Sequence, residues 1–193
     1  GGGAGIQADL KTFAAHGVHG LSALAALTAQ HTRGVTAVHV PPPDFLEAQI
    51  EACFDDFRIG AVKLGMLASA TVIDTVARVL ERHRPAHVVV DPVMVATSGA
   101  VLIEKSAMET LVRELFPRAT VITPNLDEAA LLVNRPLHSP QDMEQAALDL
   151  LEQGARAVLL KGGHLPGETV IDLLITESGE RHWMEAPRIH SPN

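Results

Sequence analysis

Short apolar, strand-like runs alternate with longer segments of helical periodicity along this chain, and no other feature constrains its fold as much. Parallel strands need a crossover connection of a dozen or more residues, usually a helix, and such sheets are covered by helices. The alternation therefore predicts a three-layer α/β fold with a mostly parallel central sheet, helices on both faces and a C-terminal β-hairpin. We expect residues 1–193 to form a single domain, because no linker or low-complexity tract interrupts the pattern.

The strand predictions rest on β-branched or apolar runs bounded by turn residues, and the helix predictions rest on apolar residues at helical spacing. Predicted strands cover 61–64, 87–90, 120–123 and 157–160, with the hairpin at 169–176 and 181–185. Predicted helices run from Ile6 to a stop at Gly17, over 44–57, 71–84, 106–116 and 125–133, and from Pro140 to a stop at Gly154. The second helix carries Cys53 on a core-facing side and has Asp44 and Glu47 at capping-box spacing. The small apolar run 23–29 is expected to be buried.

Composition and charge exclude several classes of protein. A formal net charge of −8 and an aromatic content of 3%, with no Tyr, argue against a nucleic-acid binder, which needs a basic or aromatic surface. One cysteine excludes a disulfide framework and fits a reducing compartment, so we expect a cytoplasmic protein. No segment has the length and apolarity of a membrane span, and the ten histidines include no H-E-x-x-H motif of a zinc site.

Polar and glycine residues follow each of the four predicted parallel strands. Because ligands of α/β folds bind outside the carboxyl ends of the strands, we expect these residues to form the rim of an active site. The segments are Gly65-Met66, Asp91-Pro92 with Ser98-Gly99 beyond it, residues 123–128, and residues 161–164.

Each of these strand ends has a structural and a functional interpretation. Asn125 and Glu128 have the spacing of a helix capping box, while the Glu128 carboxylate would also suit a Mg²⁺ ion that carries nucleotide phosphates. Asp91 either ends a strand or acts as a catalytic or metal-directed carboxylate. Lys161 and the two glycines after it form either a turn or a polyphosphate contact, but the residue order of a P-loop is missing.

The chain begins with a glycine cluster, Gly1-Gly2-Gly3-Ala4-Gly5, that runs directly into the first predicted helix. Glycine lets the backbone approach a ligand closely, and the first N–H groups of a helix are unpaired donors with partial positive charge. This combination predicts a site for a polar or anionic group.

Six blocks of sequence follow one another in register over nearly the whole chain: residues 2–12, 26–35, 63–67, 91–95, Thr123-Pro124-Asn125 with Glu128 and Ala129, and 161–164. Together they closely resemble the hydroxymethylpyrimidine/phosphomethylpyrimidine kinase family of thiamin biosynthesis, a branch of the ribokinase-like superfamily. The resemblance implies a central, mostly parallel sheet flanked by helices.

By this resemblance the substrate is an aminopyrimidine alcohol, and the N-terminal glycine loop with Gly5 closes over it. Gln30 matches the family glutamine whose amide pairs with the aminopyrimidine, since an amide offers both a donor and an acceptor. Asp9 matches the aspartate beside the substrate hydroxymethyl group and is the implied catalytic residue. Met66 and Val93 match residues that line the ring.

On the nucleotide side the resemblance implies ATP and Mg²⁺ as cofactors and in-line transfer of the γ-phosphoryl group. Family members often phosphorylate the monophosphate product again. Asn125, Lys161 and Gly163 would face the nucleotide, and Glu128 and Asp91 would serve the metal. A homodimer is expected, because dimers are usual in this family.

The chain departs from the family pattern in three ways. The family's Thr-His-Gly-Thr-Gly-Cys block, with its anion-hole glycines and cysteine base, would follow Asn193, and a first strand would precede Gly1. We expect both to exist in the protein outside this chain rather than to be lost by truncation. Residues 97–100 stand where many relatives have a lysine and an acidic residue.

Two other functions remain open from the sequence. Pyridoxal kinase shares the fold and the chemistry, although Gln30 favours the aminopyrimidine. A regulatory module that binds the pyrimidine and has lost catalysis is the alternative from a different class of protein.

Overall fold

The computed structural model describes residues 2–31, 34–94, 103 and 105–190. The departure from the family at 97–100 and the Ser98-Gly99 pair lie outside the described residues, as do Gly1 and residues 191–193.

The strands are β1 (Leu27–His31), β2 (Gly34–His39), β3 (Ala61–Leu64), β4 (His87–Val90), β5 (Val121–Ile122), β6 (Ala157–Leu160), β7 (Thr169–Thr176) and β8 (Arg181–Pro187). The α-helices are α1 (Gly5–Ala15), α2 (Pro43–Asp56), α3 (Ala70–His83), α4 (Lys105–Leu115), α5 (Leu126–Leu132) and α6 (Pro140–Glu152), and a 3₁₀ turn covers Phe116–Arg118. The predicted helices and the predicted strands of the main sheet are thus present, with bounds that differ by one or two residues. Within the described ranges no helix combines the length and the apolar character that crossing a membrane requires.

Six strands form the main sheet in the order β3-β4-β5-β6-β7-β8, so each strand lies beside its neighbour in the sequence. Strands β3 to β6 are parallel, whereas β7 and β8 form an antiparallel hairpin that extends the sheet from β6. The α/β class, the parallel arrangement of the first four strands and the C-terminal hairpin are confirmed. Because β3 to β6 run the same way, their carboxyl ends share one edge of the sheet.

Helix α3 illustrates why the apolar periodicity of the sequence predicts the helices correctly. The Ser69 hydroxyl accepts a hydrogen bond from the Val72 N–H at 3.4 Å and so caps the first turn. The predicted apolar face is buried, and α3 packs against α2 and α4. The core beneath the helices is formed by alternate strand residues, Val88, Val90, Ile122, Val158 and Leu160.

The prediction for residues 23–29 was wrong in part. Residues 23–26 are half-buried, but Leu27 begins β1, which pairs only with β2 in a separate two-stranded antiparallel sheet. All five residues of β1 are exposed. A two-stranded ribbon lacks the flanking strands that would bury its residues, so the apolar character of Leu27 did not lead to burial. Strand β2 was not predicted.

The capping box predicted at Asp44 and Glu47 is also wrong. Helix α2 begins at Pro43 with Pro42 as its N-cap, so Asp44 lies inside the first turn, where its Oδ1 accepts the N–H of Phe45. Glu47 instead pairs with arginines of α3. Cys53 is only half-buried, so its expected place in the core is not borne out.

Candidate active site

The hydrogen-bond ladder of the parallel sheet continues past the strand ends and aligns the residues that follow them. Each backbone N–H just beyond a strand donates to a carbonyl at or shortly after the end of the preceding strand in the sheet, which places the polar side chains next to one another. The bonds are Asp91 to Leu64, Thr123 to Val90 and Lys161 to Pro124, each at 2.9 Å.

Asp91 is the centre of the resulting cluster. Its Oδ1 accepts hydrogen bonds from Thr123 Oγ1 at 3.1 Å and from Lys161 Nζ at 3.0 Å. Its Oδ2 lies 3.9 Å from Lys63 Nζ. Two ammonium groups therefore flank a carboxylate whose side chain is only 20% exposed, and the opposite charges compensate the loss of solvent. The Asp91 carboxylate therefore links side chains from β3 and from the ends of β5 and β6.

Asp9 joins this cluster through Lys63. The Lys63 ammonium donates to both carboxylate oxygens of Asp9, at 2.9 and 3.1 Å. Gly5 lies one helical turn before Asp9 on α1, and its φ of +64° is a conformation that favours glycine. No role was assigned to Lys63 from the sequence. A charged residue inside the otherwise apolar four-residue strand β3 nevertheless indicates a side chain with a role outside the core.

The capping box at the start of α5 is present, as the structural interpretation required. The Asn125 side chain accepts the Glu128 N–H and the Glu128 carboxylate accepts the Asn125 N–H, both at 2.9 Å. Glu128 is 3% exposed, and burial raises its pKa above the ordinary value. The nearby Asp91 charge also raises this pKa, while the Asn125 N–H and the Lys161 charge lower it.

The loop after β6 brings Lys161 and two glycines to the same edge. Asn125 and Lys161 form an isolated parallel β-bridge, so the two proposed nucleotide residues are backbone neighbours. A Cβ atom at Gly162 would lie 1.9 Å from the Ile171 carbonyl oxygen, which only glycine avoids. A Cβ atom at Gly163 would meet nothing within 4 Å, so space beside this residue is open.

The residues expected to bind the ring are distributed over two parts of the fold. Met66 and Val93 are half-buried and lie in the loops that follow β3 and β4, beside the strand ends that carry Lys63 and Asp91. Gln30 lies on the exposed strand β1 of the second sheet, next to a register irregularity between Ala29 and Gln30. The ion-pair cluster therefore unites Asp9, Asp91 and Lys161, while Gln30 belongs to the separate ribbon.

The carboxylates at this edge have the oxygen-donor chemistry that Mg²⁺ prefers. In the described part of the chain, no group of three or more His, Cys, Asp or Glu residues is arranged to hold an ion. Mg²⁺ is usually bound through one or two carboxylates together with water and substrate phosphates. Asp91 and Glu128, which interact electrostatically across the strand ends, supply such a pair.

Comparison with known proteins relates this chain to one family of kinases. The family model described as phosphomethylpyrimidine kinase matches residues 1–193. The chain is 48% identical over 193 residues to the hydroxymethylpyrimidine/phosphomethylpyrimidine kinase of Escherichia coli K12, covering all of this chain and 72% of that protein. It superimposes on the crystal structure of phosphomethylpyrimidine kinase from Clostridium difficile 630 with a TM-score of 0.85 at 41% identity, covering 96% of this chain and 79% of the other. The pyridoxal kinase of Staphylococcus aureus in complex with AMP-PCP is similar too, with a TM-score of 0.89 at 32% identity over 99% of this chain and 70% of the other.

Proposed function

Since the chain belongs to the phosphomethylpyrimidine kinase family, we propose that it transfers the γ-phosphoryl group of ATP to hydroxymethylpyrimidine, and then to the monophosphate, in thiamin diphosphate biosynthesis. The observation that carries the proposal is the continuous ion-pair series from Asp9 through Lys63 and Asp91 to Lys161. This series connects the residue assigned to the alcohol with the residue assigned to the phosphates.

Asp9 acts on the acceptor side. Its carboxylate orients the substrate hydroxyl and holds it in line for attack, while Lys63 restrains the carboxylate through two hydrogen bonds. Orientation of this kind accounts for much of the rate in phosphoryl transfer, because the protein contributes mainly positioning and charge stabilisation.

Lys161, Asn125 and Gly163 act on the nucleotide side. The Lys161 ammonium lies at the carboxyl edge of the sheet and supplies positive charge for the phosphate oxygens. The open space at Gly163 admits a phosphate close to the backbone. Together they position the nucleotide opposite Asp9.

Asp91 and Glu128 would hold Mg²⁺, whose chemistry when bound is to neutralise charge on the phosphate oxygens. Lys63 and Lys161 balance the negative charge of the Asp91 carboxylate. The raised pKa of the buried Glu128 is consistent with a carboxylate that gains from a nearby cation.

Gln30, Met66, Val93 and the loop with Gly5 form the ring site in this proposal. The Gln30 amide pairs with the ring nitrogen and exocyclic amine, and Met66 and Val93 supply apolar contacts. This pairing is what selects an aminopyrimidine over a pyridine alcohol.

Steady-state kinetics of the full-length protein with each of the two alcohols tests the proposal. We expect Mg²⁺-dependent phosphorylation of hydroxymethylpyrimidine with a higher kcat/KM than that of pyridoxal. Pyridoxal phosphorylation is the second candidate, because the pyridoxal kinase superimposes at least as well as the phosphomethylpyrimidine kinase. A pyridoxal preference would overturn the substrate assignment, and pyrimidine binding without any transfer would identify a regulatory module.

We also propose a cytoplasmic homodimer. The β1–β2 ribbon exposes Leu27 and Val38 at 44% each and Val40 follows it at 37%, so the ribbon presents an apolar surface suited to a second copy. Sedimentation of the full-length protein and of a Val38→Lys variant tests this assembly, and a monomeric wild type would refute it. A fluorescent fusion tests the location, which a periplasmic or membrane signal would contradict.

A further inference from the structure

A single arginine holds three carbonyl groups of the loop that carries Lys161. Arg188, directly after β8, donates from Nε to the Gly167 oxygen at 2.6 Å, from Nη1 to the Gly163 oxygen at 2.7 Å, and from Nη2 to the Leu165 oxygen. Its backbone N–H donates to the Glu168 oxygen at 2.7 Å. All three guanidinium nitrogens are therefore engaged by alternate residues of one loop.

The same loop is anchored at its start by β7. The Gly162 N–H donates to Asp172 Oδ1 at 2.9 Å, and the close approach to Ile171 leaves no room for a side chain at Gly162. The Leu165 N–H also donates to the Gly162 oxygen at 2.9 Å. The β7–β8 hairpin thus holds the loop from both of its strands.

We propose that Arg188, assisted by Asp172, is a positioning residue for the nucleotide: it fixes the loop 161–167 so that Lys161 and Gly163 meet the phosphates. The inference rests on the proposed function, which assigns these two residues to ATP. Arg188 itself touches the loop carbonyls and acts through the loop.

The chemistry of the guanidinium explains why an arginine suits this place. Three carbonyl dipoles that converge on one point repel one another unless a cation lies between them. Arginine offers five donors in a rigid planar fork, whereas lysine offers a single ammonium that cannot reach three separated oxygens. Arg188→Lys therefore keeps the charge and loses part of the clamp.

Calorimetric titration with ADP, and separate KM values for ATP and for hydroxymethylpyrimidine, test the inference on the full-length protein. Arg188→Lys is expected to weaken ADP binding and raise the KM for ATP by about tenfold, because charge-assisted hydrogen bonds to the loop are lost. The KM for the alcohol stays unchanged. Arg181→Lys is the matched control, since Arg181 begins β8, the strand that Arg188 follows, and pairs with the half-buried Glu144 away from the loop.

Asp172→Ala provides a second variant that loosens the loop from β7, with the same selective loss for ADP expected. Amide hydrogen exchange over 162–168 reports the loop directly and should speed up in both variants while the core strands remain protected. If both variants bind ADP with unchanged affinity, or lose affinity equally for ADP and for the alcohol, the inference is overturned while the proposed function stands. A wild-type protein that binds no ADP would overturn the proposed function and the inference with it.

Discussion

The Lys63 ammonium donates to both carboxylate oxygens of Asp9, at 2.9 and 3.1 Å, although fifty-four residues separate the two in the sequence. This contact fixes the side chain of an N-terminal helix residue against the first strand of the main sheet. It also brings Asp9 into the electrostatic neighbourhood of Asp91, which lies 3.9 Å from the same ammonium.

Lys63→Met is expected to lower kcat for hydroxymethylpyrimidine by about tenfold or more, because Asp9 loses its fixed orientation. Asp9→Asn alone should lower it further, and a double-mutant cycle between the two should give a coupling of about 1–2 kcal/mol. Steady-state kinetics of the four proteins provides the measurement. Additive effects would show that the contact does not serve catalysis.

Gln30→Ala should weaken pyrimidine binding by about 1–3 kcal/mol, the range for losing a hydrogen-bonded pairing that the bound ring would bury, and leave ATP binding unchanged. Gln49→Ala is a matched control, since the Gln49 amide bonds both the N–H and the carbonyl of Leu24. The control should lower the melting temperature without changing the affinity for the pyrimidine more than the affinity for ATP. Titration calorimetry with each ligand decides the matter, and equal losses for both would count against the assigned role of Gln30.

Glu128 allows the capping role and the metal role to be separated. Glu128→Gln retains an oxygen that can accept the Asn125 N–H but removes the charge, so stability should hold while the Mg²⁺-dependent rate falls. Glu128→Ala should lose both functions, with about 1 kcal/mol of the free energy of unfolding.

Kinetics over a Mg²⁺ titration, combined with thermal unfolding, distinguishes these outcomes. Asp127→Asn, at the adjacent exposed position of α5, is the control for charge in the first turn. A normal rate in Glu128→Gln would leave only the capping role.

Substitution by alanine is expected to have different consequences at the two adjacent glycines after β6. Gly162→Ala forces a Cβ against the Ile171 oxygen and should lower the free energy of unfolding by about 1–3 kcal/mol or more. Gly163→Ala meets open space, so it should leave the melting temperature unchanged and raise the KM for ATP by occupying room needed by a phosphate. Denaturant unfolding and ATP kinetics on both variants check this, and a stable Gly162→Ala protein would contradict the geometry.

Asp142 makes a contribution to stability that depends on pH. The His138 N–H, and then the Ser139 hydroxyl, lower the pKa of this carboxyl below its ordinary value of 3.8. A lowered folded-state pKa contributes stability above the unfolded-state pKa, and this contribution is lost as pH falls through the folded value. Asp142→Asn should therefore have a lower melting temperature than wild type at neutral pH, with a gap that narrows below about pH 4. A gap of constant size in thermal scans from neutral to acidic pH would refute the assignment.

The parts of the fold that could be predicted are those with a strong local signal. The β-branched run of β4, the apolar run of β6 and the periodic face of α3 determine their elements through side chains only a few residues apart. The ribbon β1–β2 escaped prediction because each short strand depends on its partner strand, which the local sequence does not specify. At α2 the Pro42-Pro43 pair set the start of the helix and overrode the capping spacing of Asp44.

The candidate site also has parts that could be predicted from the sequence and parts that could not. Sequence by itself identified the strand ends that carry Asp91, Asn125, Glu128 and Lys161, because parallel strands place their carboxyl ends at one edge. Only the tertiary structure decided that Lys63 bridges Asp9 and Asp91 and that Arg188 clamps the loop of Lys161. Ion pairs and hydrogen bonds depend on separations of a few ångströms in space, and spacing along the chain carries no information about such distances between remote segments.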